Sequence, residues 1–585
     1  LGAVRLKIID LDGGRQPMQA GGWVIVFNGE VYNHTELRRE LEARGHRFES
    51  RCDTEAVLRA FLEWDVASFA RLRGMFAFAI WNEAERRLVL CRDRLGIKPL
   101  YFTRLGSDLA FGSELKTLFA HPDVERRLSA EGLWHFLSLN YVPRPFTLIE
   151  GIEKLAPGHW LEWYKGQVRT EPYWELRFSP QPRLSAADAK AELDDLLRLS
   201  IQEHLLSDVP LGVWASGGLD SSTVLHYAAQ YFPGKLKTFS VSFRGRSFDE
   251  SPFFRTMAEA YDTDHHEFDL NPEQELAGAI EQLSYFSDEP SADAGALPVW
   301  FLSQMSRRHV TVALSGEGAD ELFGGYETYR ADRYARWAGA VPRWLRLAGL
   351  GLAQRLPVSD DKISFEYKLK RFLAGSLLDP AAAHFYWNGT FSDEQKTRLF
   401  RTPLRATFAR LGHVGEGAGA LNRFLWTDQL YYLPDDILYK CDRMSMAHSL
   451  EVRPPFLDHR LVEFAARLPE NLKVRGSSLK WILRELMREK LPPAILQRPK
   501  QGFDIPTHDW LRGALRPLLL ETVTRGAVES TGLLHWAPVA QVMDDHLQRR
   551  ANYGYHLWGL LMVFLWIKRW NVQGVEQPEL AGALA

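Results

Sequence analysis

The stretch Val209-Pro210-Leu211-Gly212-Val213-Trp214-Ala215-Ser216-Gly217-Gly218-Leu219-Asp220-Ser221-Ser222 decides how this chain folds. Its first half is a short apolar run of the kind that forms a buried strand, and a helical run, Thr223–Gln230, follows it. Strand, glycine loop and helix in that order are the unit of a parallel sheet. Lys237–Phe243 and Val310–Leu314 supply two more apolar strands with helical segments between them. The pattern predicts an α/β, doubly wound parallel sheet. The loop carries its own chemistry. Glycines let backbone N–H groups approach an anion, the helix start adds positive potential, and the serine hydroxyls add donors. Asp220 suits a cation that screens phosphate charge. The Walker pattern GxxxxGK[ST] is absent, so this is not an ordinary P-loop.

A second loop has the same placement. After Val310–Leu314 comes Ser315-Gly316-Glu317-Gly318-Ala319-Asp320-Glu321, with three acids within five positions. Such a cluster at the carboxyl end of a strand is costly unless cations or donors meet it. Ligands of open α/β sheets bind at that edge.

Working outward, the first 175 or so residues read as an α+β unit with antiparallel pairs. Trp23–Phe27 is β-rich and runs into Asn28-Gly29, a turn signal; Met75–Trp81 alternates large and small apolar residues; Arg87–Cys91 is a further strand. An amphipathic helix is expected at Thr35–Arg44, stopped by Gly45. The Pro-punctuated stretch Phe178–Ser185 marks a linker, giving domains at 1–176 and 188–585 joined by 177–187, and a helix is expected over Ala187–Leu206. From about Ala331 the chain reads as largely helical, with a Gly/Ala-rich loop at Gly412–Ala420.

Composition excludes several classes. The chain has 585 residues, 71 basic and 74 acidic side chains and a net charge of −3, which gives no support for a nucleic-acid partner. Its three cysteines, Cys52, Cys91 and Cys441, form no CxxC pair and no disulfide scaffold, so a reducing cytoplasm is expected. The longest apolar run, Leu557–Ile567, is about half of the roughly 20 residues a spanning helix needs, so it reads as a core helix and no membrane partner is expected. His265-His266-Glu267 is not read as a zinc site, because adjacent side chains diverge and no second ligand cluster accompanies them.

The ordered motifs resemble one family. SGGLDSS at 216–222 is similar to the loop of ligases that cleave ATP to AMP and pyrophosphate. SGEGADELFGGY at 315–326, Tyr439–Met446, EVRPPFLD at 451–458 and Leu479–Glu485 resemble the synthetase domain of glutamine-dependent asparagine synthetases. RLKIIDLDGGRQPM at 5–18, FNGEVYNH at 27–34, CDTE at 52–55 and CRDRLGIKPLYF at 91–102 resemble that family's glutaminase domain. The resemblance implies an N-terminal-nucleophile (Ntn) αββα sandwich, here incomplete, followed by the doubly wound ATP-pyrophosphatase domain with a large helical C-terminal part. It implies ATP, Mg²⁺, aspartate and glutamine as cofactors and substrates, and a homodimer.

Roles follow by position. The resemblance implies that Asp220 and Asp320 coordinate Mg²⁺, while Ser216, Gly217, Gly218, Ser221 and Ser222 cradle pyrophosphate. Trp214, Val241, Ser315 and Gly316 fall at the nucleoside and ribose. Glu317 matches an acid used in adenylation and amination, Lys480 a lysine that stabilises phosphate charge, and Asp442 and Arg443 the acceptor site. In the glutaminase half, Asn28 and Gly29 match oxyanion-hole donors, and Arg5, Asn28, Glu30 and Asp53 match glutamine-binding positions. The family's nucleophile is an N-terminal cysteine whose α-amine is the base. This sequence opens at Leu1, and neither Cys52 nor Cys91 is placed to substitute. The expectation is therefore a fragment whose parent starts Met-Cys-Gly, with no glutaminase activity as written and an ammonia-dependent ligase retained. The acceptor could also be another carboxylate, in peptide or polysaccharide tailoring.

Overall fold

In the computed structural model the structure describes residues 1–242, 250–270, 276–357, 365–404, 418–498 and 505–575. The N-terminal part builds a six-stranded antiparallel sheet from Met18–Ala20 (β1), Trp23–Val31 (β2), Gly74–Asn82 (β3), Arg87–Arg92 (β4), His159–Tyr164 (β8) and Gln167–Pro172 (β9), in that spatial order. Tyr101–Leu105 (β5), Asp108–Gly112 (β6) and Ile152–Lys154 (β7) form a second sheet, ordered β6-β5-β7. The alternation along β3 explains the layering. Phe76, Phe78 and Ile80 point to one face, where they pack with Leu37, Val57 and Phe61 of the helices His34–Ala43 and Asp53–Trp64. Ala77 and Ala79 point to the other, where the small side chains admit Phe102 of the second sheet and Leu100 and Leu155, which flank its strands.

Asn28-Gly29 is not a turn: β2 runs through it to Val31, with Asn28 opposite Ala77 and Gly29 opposite Phe76. Local turn chemistry loses to a close strand approach. A Cβ on Gly29 would lie 2.0 Å from the Met75 carbonyl oxygen, and its φ of +137° suits glycine.

The second part is a five-stranded, all-parallel sheet of Asp264–Asp269 (β12), Lys237–Ser242 (β11), Leu211–Trp214 (β10), Val312–Leu314 (β13) and Glu451–Arg453 (β14), in that order. Leu211, Val213 and Leu314 pack against the helices Ala186–His204, Leu219–Tyr231 and His459–Arg467. Trp214, Phe239 and Val452 face the other side, toward Leu276–Phe286, Ala296–Ser306 and Gly554–Trp570. Both faces are thus covered, as a parallel sheet requires. The run Leu557–Trp566 is buried as a core helix, and Phe243, the last residue of one expected strand, lies outside the described residues. So does most of the glycine-rich loop at 412–420.

The connectivity places the site. From β10 the chain moves outward through β11 and β12, then returns to the other side of β10 for β13 and β14. The order reverses between β10 and β13, which pair directly (Leu211 with Val312, Val213 with Leu314). A crevice opens at such a switch point, outside the carboxyl ends of the two strands. The expected linker is held in place, with Ser179 N donating to Ala466 O and Gln181 N to Arg467 O. The two parts also share a core: Ile8, Tyr32, Met75 and Ile97 pack with Leu219, Leu457 and Leu461.

Candidate active site

The loops after β10 and β13 meet in that crevice. Gly218 caps the helix Leu219–Tyr231, so Asp220, Ser221 and Ser222 fall in its first turn, earlier than the helix expected from Thr223. Their N–H groups belong to the helix's positive end. Ser216 Oγ lies 3.0 Å from Ser221 Oγ and accepts from Gly218 N at 3.3 Å, which closes the loop on itself. Gly217 sits at φ +69°, and a Cβ there would be 2.6 Å from the backbone of Phe253 and Phe254. Gly316 brings the second loop onto the first: its Cβ would lie 2.9 Å from Ser221 N. Only glycine permits that contact.

Lys480 joins the two loops. Its Nζ is 2.5 Å from Asp220 Oδ2 and 2.6 Å from Asp320 Oδ1. It is not a solvent-facing helix lysine; it is buried, in left-handed geometry (φ +51°), just before the helix Trp481–Met487. Burial works against its charge, but Asp220 and Asp320 outweigh it and raise its affinity for the proton. Gly325 makes room for the cluster, since a Cβ there would sit 1.8 Å from Asp320 Oδ1 and 2.0 Å from Lys480 Cε.

Glu317 lies beside this cluster. Burial pushes its carboxyl above the ordinary glutamate range; Ser315, its own amide and Lys440 oppose the rise, and Asp220 adds to it. Its Oε2 is out of reach of water and has no hydrogen-bond partner among the described residues. Lys440 pairs with Asp293 and faces Asp436 and Glu317, which raise it despite burial. Trp214 is buried at the end of β10 with its indole donating to Ser306 Oγ at 3.1 Å, and Val241 is buried near the end of β11.

Asp442 and Arg443 are already engaged. Asp442 accepts from Lys98 Nζ at 2.9 Å and from Arg443 Nη2 at 2.5 Å, while Arg443 Nη1 donates to Glu114 Oε1 at 2.9 Å. Burial alone would raise Asp442; Lys98 and Arg443 reverse that and lower it. Lys98 and Glu114 come from the N-terminal part, so this is a charged seam between the two parts.

In the N-terminal part, Arg5 and Asp53 meet at Cys52: Arg5 Nη2 is 4.0 Å from Cys52 Sγ, and the thiol is 3.3 Å from Asp53 Oδ1. Asp53 opens the helix Asp53–Trp64 and accepts from Val31 N at 2.9 Å, which ties it to β2. Burial and the Asp53 charge push the Cys52 thiol up to about 12, so it stays protonated at neutral pH. Among the described residues Asn28 Nδ2 reaches Ser113 Oγ, at 3.5 Å. Glu30 is buried and points across the seam to Arg453, 3.7 Å away, and burial with Asp53 and Glu451 nearby raises it well above its ordinary range.

Sequence reasoning missed Arg453, Lys98, Lys440 and Arg498. Arg453 is fully buried, donating to Glu451 Oε1 at 2.8 Å and to His204 O at 2.9 Å. Arg498 donates to Ser216 O at 2.9 Å and so braces the glycine loop. Lys98, Lys440 and Arg453 lay inside quoted motifs; a cation beside apolar residues that the fold buries is the signal that could have found them.

Comparison with known proteins bears on the family of the chain. A family model described as asparagine synthase matches residues 192–569, and one described as glutamine amidotransferase domain matches residues 1–174. A Bacillus subtilis glutamine-hydrolyzing asparagine synthetase 1 is 32% identical over 598 residues, covering 98% of this chain and 90% of that one. Asparagine synthetase 3 of the same organism is 34% identical over 527 residues, with 87% and 80% covered. A Gibberella zeae protein named amidase chry2 is 28% identical over 608 residues, with 94% and 88% covered. A match to the family model over most of the chain, with relatives above 30% identity along nearly all of it, shows that this chain belongs to the asparagine synthase family.

Proposed function

We propose that this chain makes asparagine. It adenylates aspartate with ATP, releases pyrophosphate, and passes the activated carboxyl to ammonia from glutamine or solution, leaving AMP. One observation carries the reading: Asp220, Asp320 and Lys480 converge within 2.6 Å on a glycine–serine loop at the switch point of a parallel sheet. A carboxylate is a poor electrophile, and AMP transfer gives it a leaving group. ATP and aspartate are both anions, so the site must offset their repulsion.

The donor set fits Mg²⁺. Two carboxylates already share one cation, and oxygen ligands suit a hard ion. Among the described residues no group of three or more metal-ligating side chains assembles, so Asp220 and Asp320 would hold the ion together with phosphate oxygens. When bound it neutralises charge on the leaving pyrophosphate. Ser216, Gly217, Gly218, Ser221 and Ser222 bind the pyrophosphate, and Lys480 neutralises charge on the phosphate under attack. Trp214, Val241, Ser315 and Gly316 border the nucleoside. Glu317, whose carboxylate burial makes a stronger base, takes up the proton that ammonia sheds. We place the acceptor beside Glu317, against the helix Leu438–Met446 that carries Lys440, Asp442 and Arg443. Asp442 and Arg443 fix that wall through Lys98 and Glu114. Arg5, Asn28, Gly29, Glu30 and Asp53 mark the glutamine side, on what we read as an Ntn-type αββα sandwich spanning 1–176.

ATP–pyrophosphate exchange tests the reading. Aspartate should stimulate exchange above glutamate, malonate and β-alanine. Stimulation by another carboxylate and none by aspartate would remove asparagine as the product.

A further inference from the structure

The region between the second loop and the C-terminal helices exposes apolar surface that ligase chemistry does not use. Ten of the 18 exposed large apolar side chains among the described residues lie between Tyr334 and Leu378. The helix Arg343–Gln354 is the extreme case. Of its residues only Ala353 is buried. Arg346, Gly349 and Leu350 are half-buried; Gly349 rests near Leu373 of the helix Phe365–Gly375, and Arg346 donates to Val341 O at 3.1 Å. That narrow strip leaves Trp344 68% and Leu352 66% exposed, with Leu345 and Leu347 also outside. On the preceding helix, Glu327–Ala338, Trp337 is 64% exposed, with the Tyr334 ring tilted against it at 5.8 Å. Isolated exposed apolar residues need no explanation; ten within one 45-residue stretch, two of them tryptophans, do.

Charge identifies the occupant. Residues 327–357 hold six arginines (Arg330, Arg333, Arg336, Arg343, Arg346 and Arg355) against two acids, and both acids are engaged, Glu327 with Arg330 and Asp332 with His384, in a chain whose net charge is −3. A second copy docking by two-fold symmetry would set these arginines against themselves, with both carboxylates of the stretch already engaged. Arg343 and Arg355 have no acidic partner among the described residues. Tryptophan, leucine and arginine on one short surface helix instead match the boundary between headgroups and acyl chains of an anionic bilayer. Among the described residues no helix is long and apolar enough to cross a membrane. The expectation of no membrane partner rested on spanning length, and a helix lying in the surface needs none.

We propose that the helices Glu327–Ala338 and Arg343–Gln354 form a docking face for an anionic phospholipid surface. Trp337, Trp344 and Leu352 enter the boundary region, and Arg343 and Arg355 meet phosphates. Co-sedimentation of the full chain with vesicles of phosphatidylcholine, alone or mixed with phosphatidylglycerol, tests this. Binding should require phosphatidylglycerol and weaken as salt rises. The double change Arg343→Gln/Arg355→Gln should lower partitioning about 30-fold, at about a kilocalorie per arginine. Trp337→Ser/Trp344→Ser should abolish the blue shift of tryptophan emission on vesicles, with ATP–pyrophosphate exchange unchanged in both variants. Absence of binding to phosphatidylglycerol vesicles, or binding that the variants leave intact, would overturn the proposal. So would light scattering showing that Trp337→Ser/Trp344→Ser turns an oligomer into a monomer, since the face would then be a subunit interface.

Discussion

Lys98 and Asp442, 344 positions apart in the chain, form a buried ion pair at 2.9 Å across the seam between the two parts. Neither charge has water to fall back on. The pair and its neighbours Arg443 and Glu114 couple the glutaminase-like part to the helix that borders Glu317.

Removing one partner should therefore be expensive. Lys98→Ala leaves a buried carboxylate short of one cation and should destabilise the chain by about 3–5 kcal/mol. The control is Arg525→Ala, which breaks an exposed pair with Glu529 at 2.9 Å and should cost less than about 1 kcal/mol. Urea unfolding of both variants measures the contrast; equal effects would mean that the seam is wet.

Lys480 is the second test. Lys480→Ala should leave Asp220 and Asp320 repelling each other and lower kcat for aspartate-stimulated exchange by about 10²–10³-fold. Lys480→Arg should not rescue it, because the recess is fitted to an ammonium, with Lys480 Cε 2.0 Å from where a Gly325 Cβ would be. Recovery above a tenth of wild-type kcat in Lys480→Arg would contradict this geometry.

Gly325→Ala probes the same recess from outside the charged cluster. The added methyl meets Asp320 Oδ1 at 1.8 Å, so Asp320 or Lys480 must move. Exchange activity should fall by at least an order of magnitude with circular dichroism unchanged, whereas a wild-type rate would show that the cluster tolerates displacement.

His384 gives a pH signature. It is buried between Asp332, 2.7 Å from Nδ1, and Asp428, 2.9 Å from Nε2. Burial opposes its charge, but the two carboxylates outweigh it and raise its pKa from 6.5 to about 10. A raised histidine stabilises the fold fully below its unfolded value and loses that contribution as pH climbs through the folded one. The difference in melting temperature between wild type and His384→Gln should be full below pH 6.5 and shrink as the pH rises toward about 10. A difference constant across that range would show that His384 is neutral in the fold.

These tests fall unevenly between what the sequence makes visible and what it hides. β10 and β13 are legible because central strands buried on both faces are continuous apolar runs. β12 is not: Asp264–Asp269 lies at the sheet edge with every residue half-buried, so it carries no alternation. β14 is three residues long, too short for any period. Asn28-Gly29 carries a local turn signal that only the opposing strand overrules. The loop at 216–222 is legible because its glycines and serines are contiguous. The partners of Asp442, Glu30 and Lys480 come from remote segments, and no local pattern encodes such pairing. The resemblance named Lys480 and Asp320, but only the fold shows that they touch.

The central claim is that the Asp220–Asp320–Lys480 cluster activates aspartate by adenylation. The most direct measurement is product stoichiometry when the purified chain is given aspartate, ATP, Mg²⁺ and ¹⁵N-ammonium. The account predicts labelled asparagine, AMP and pyrophosphate in equal amounts, with all three lost together in Lys480→Ala. Formation of ADP and phosphate, or of AMP without asparagine, would contradict it.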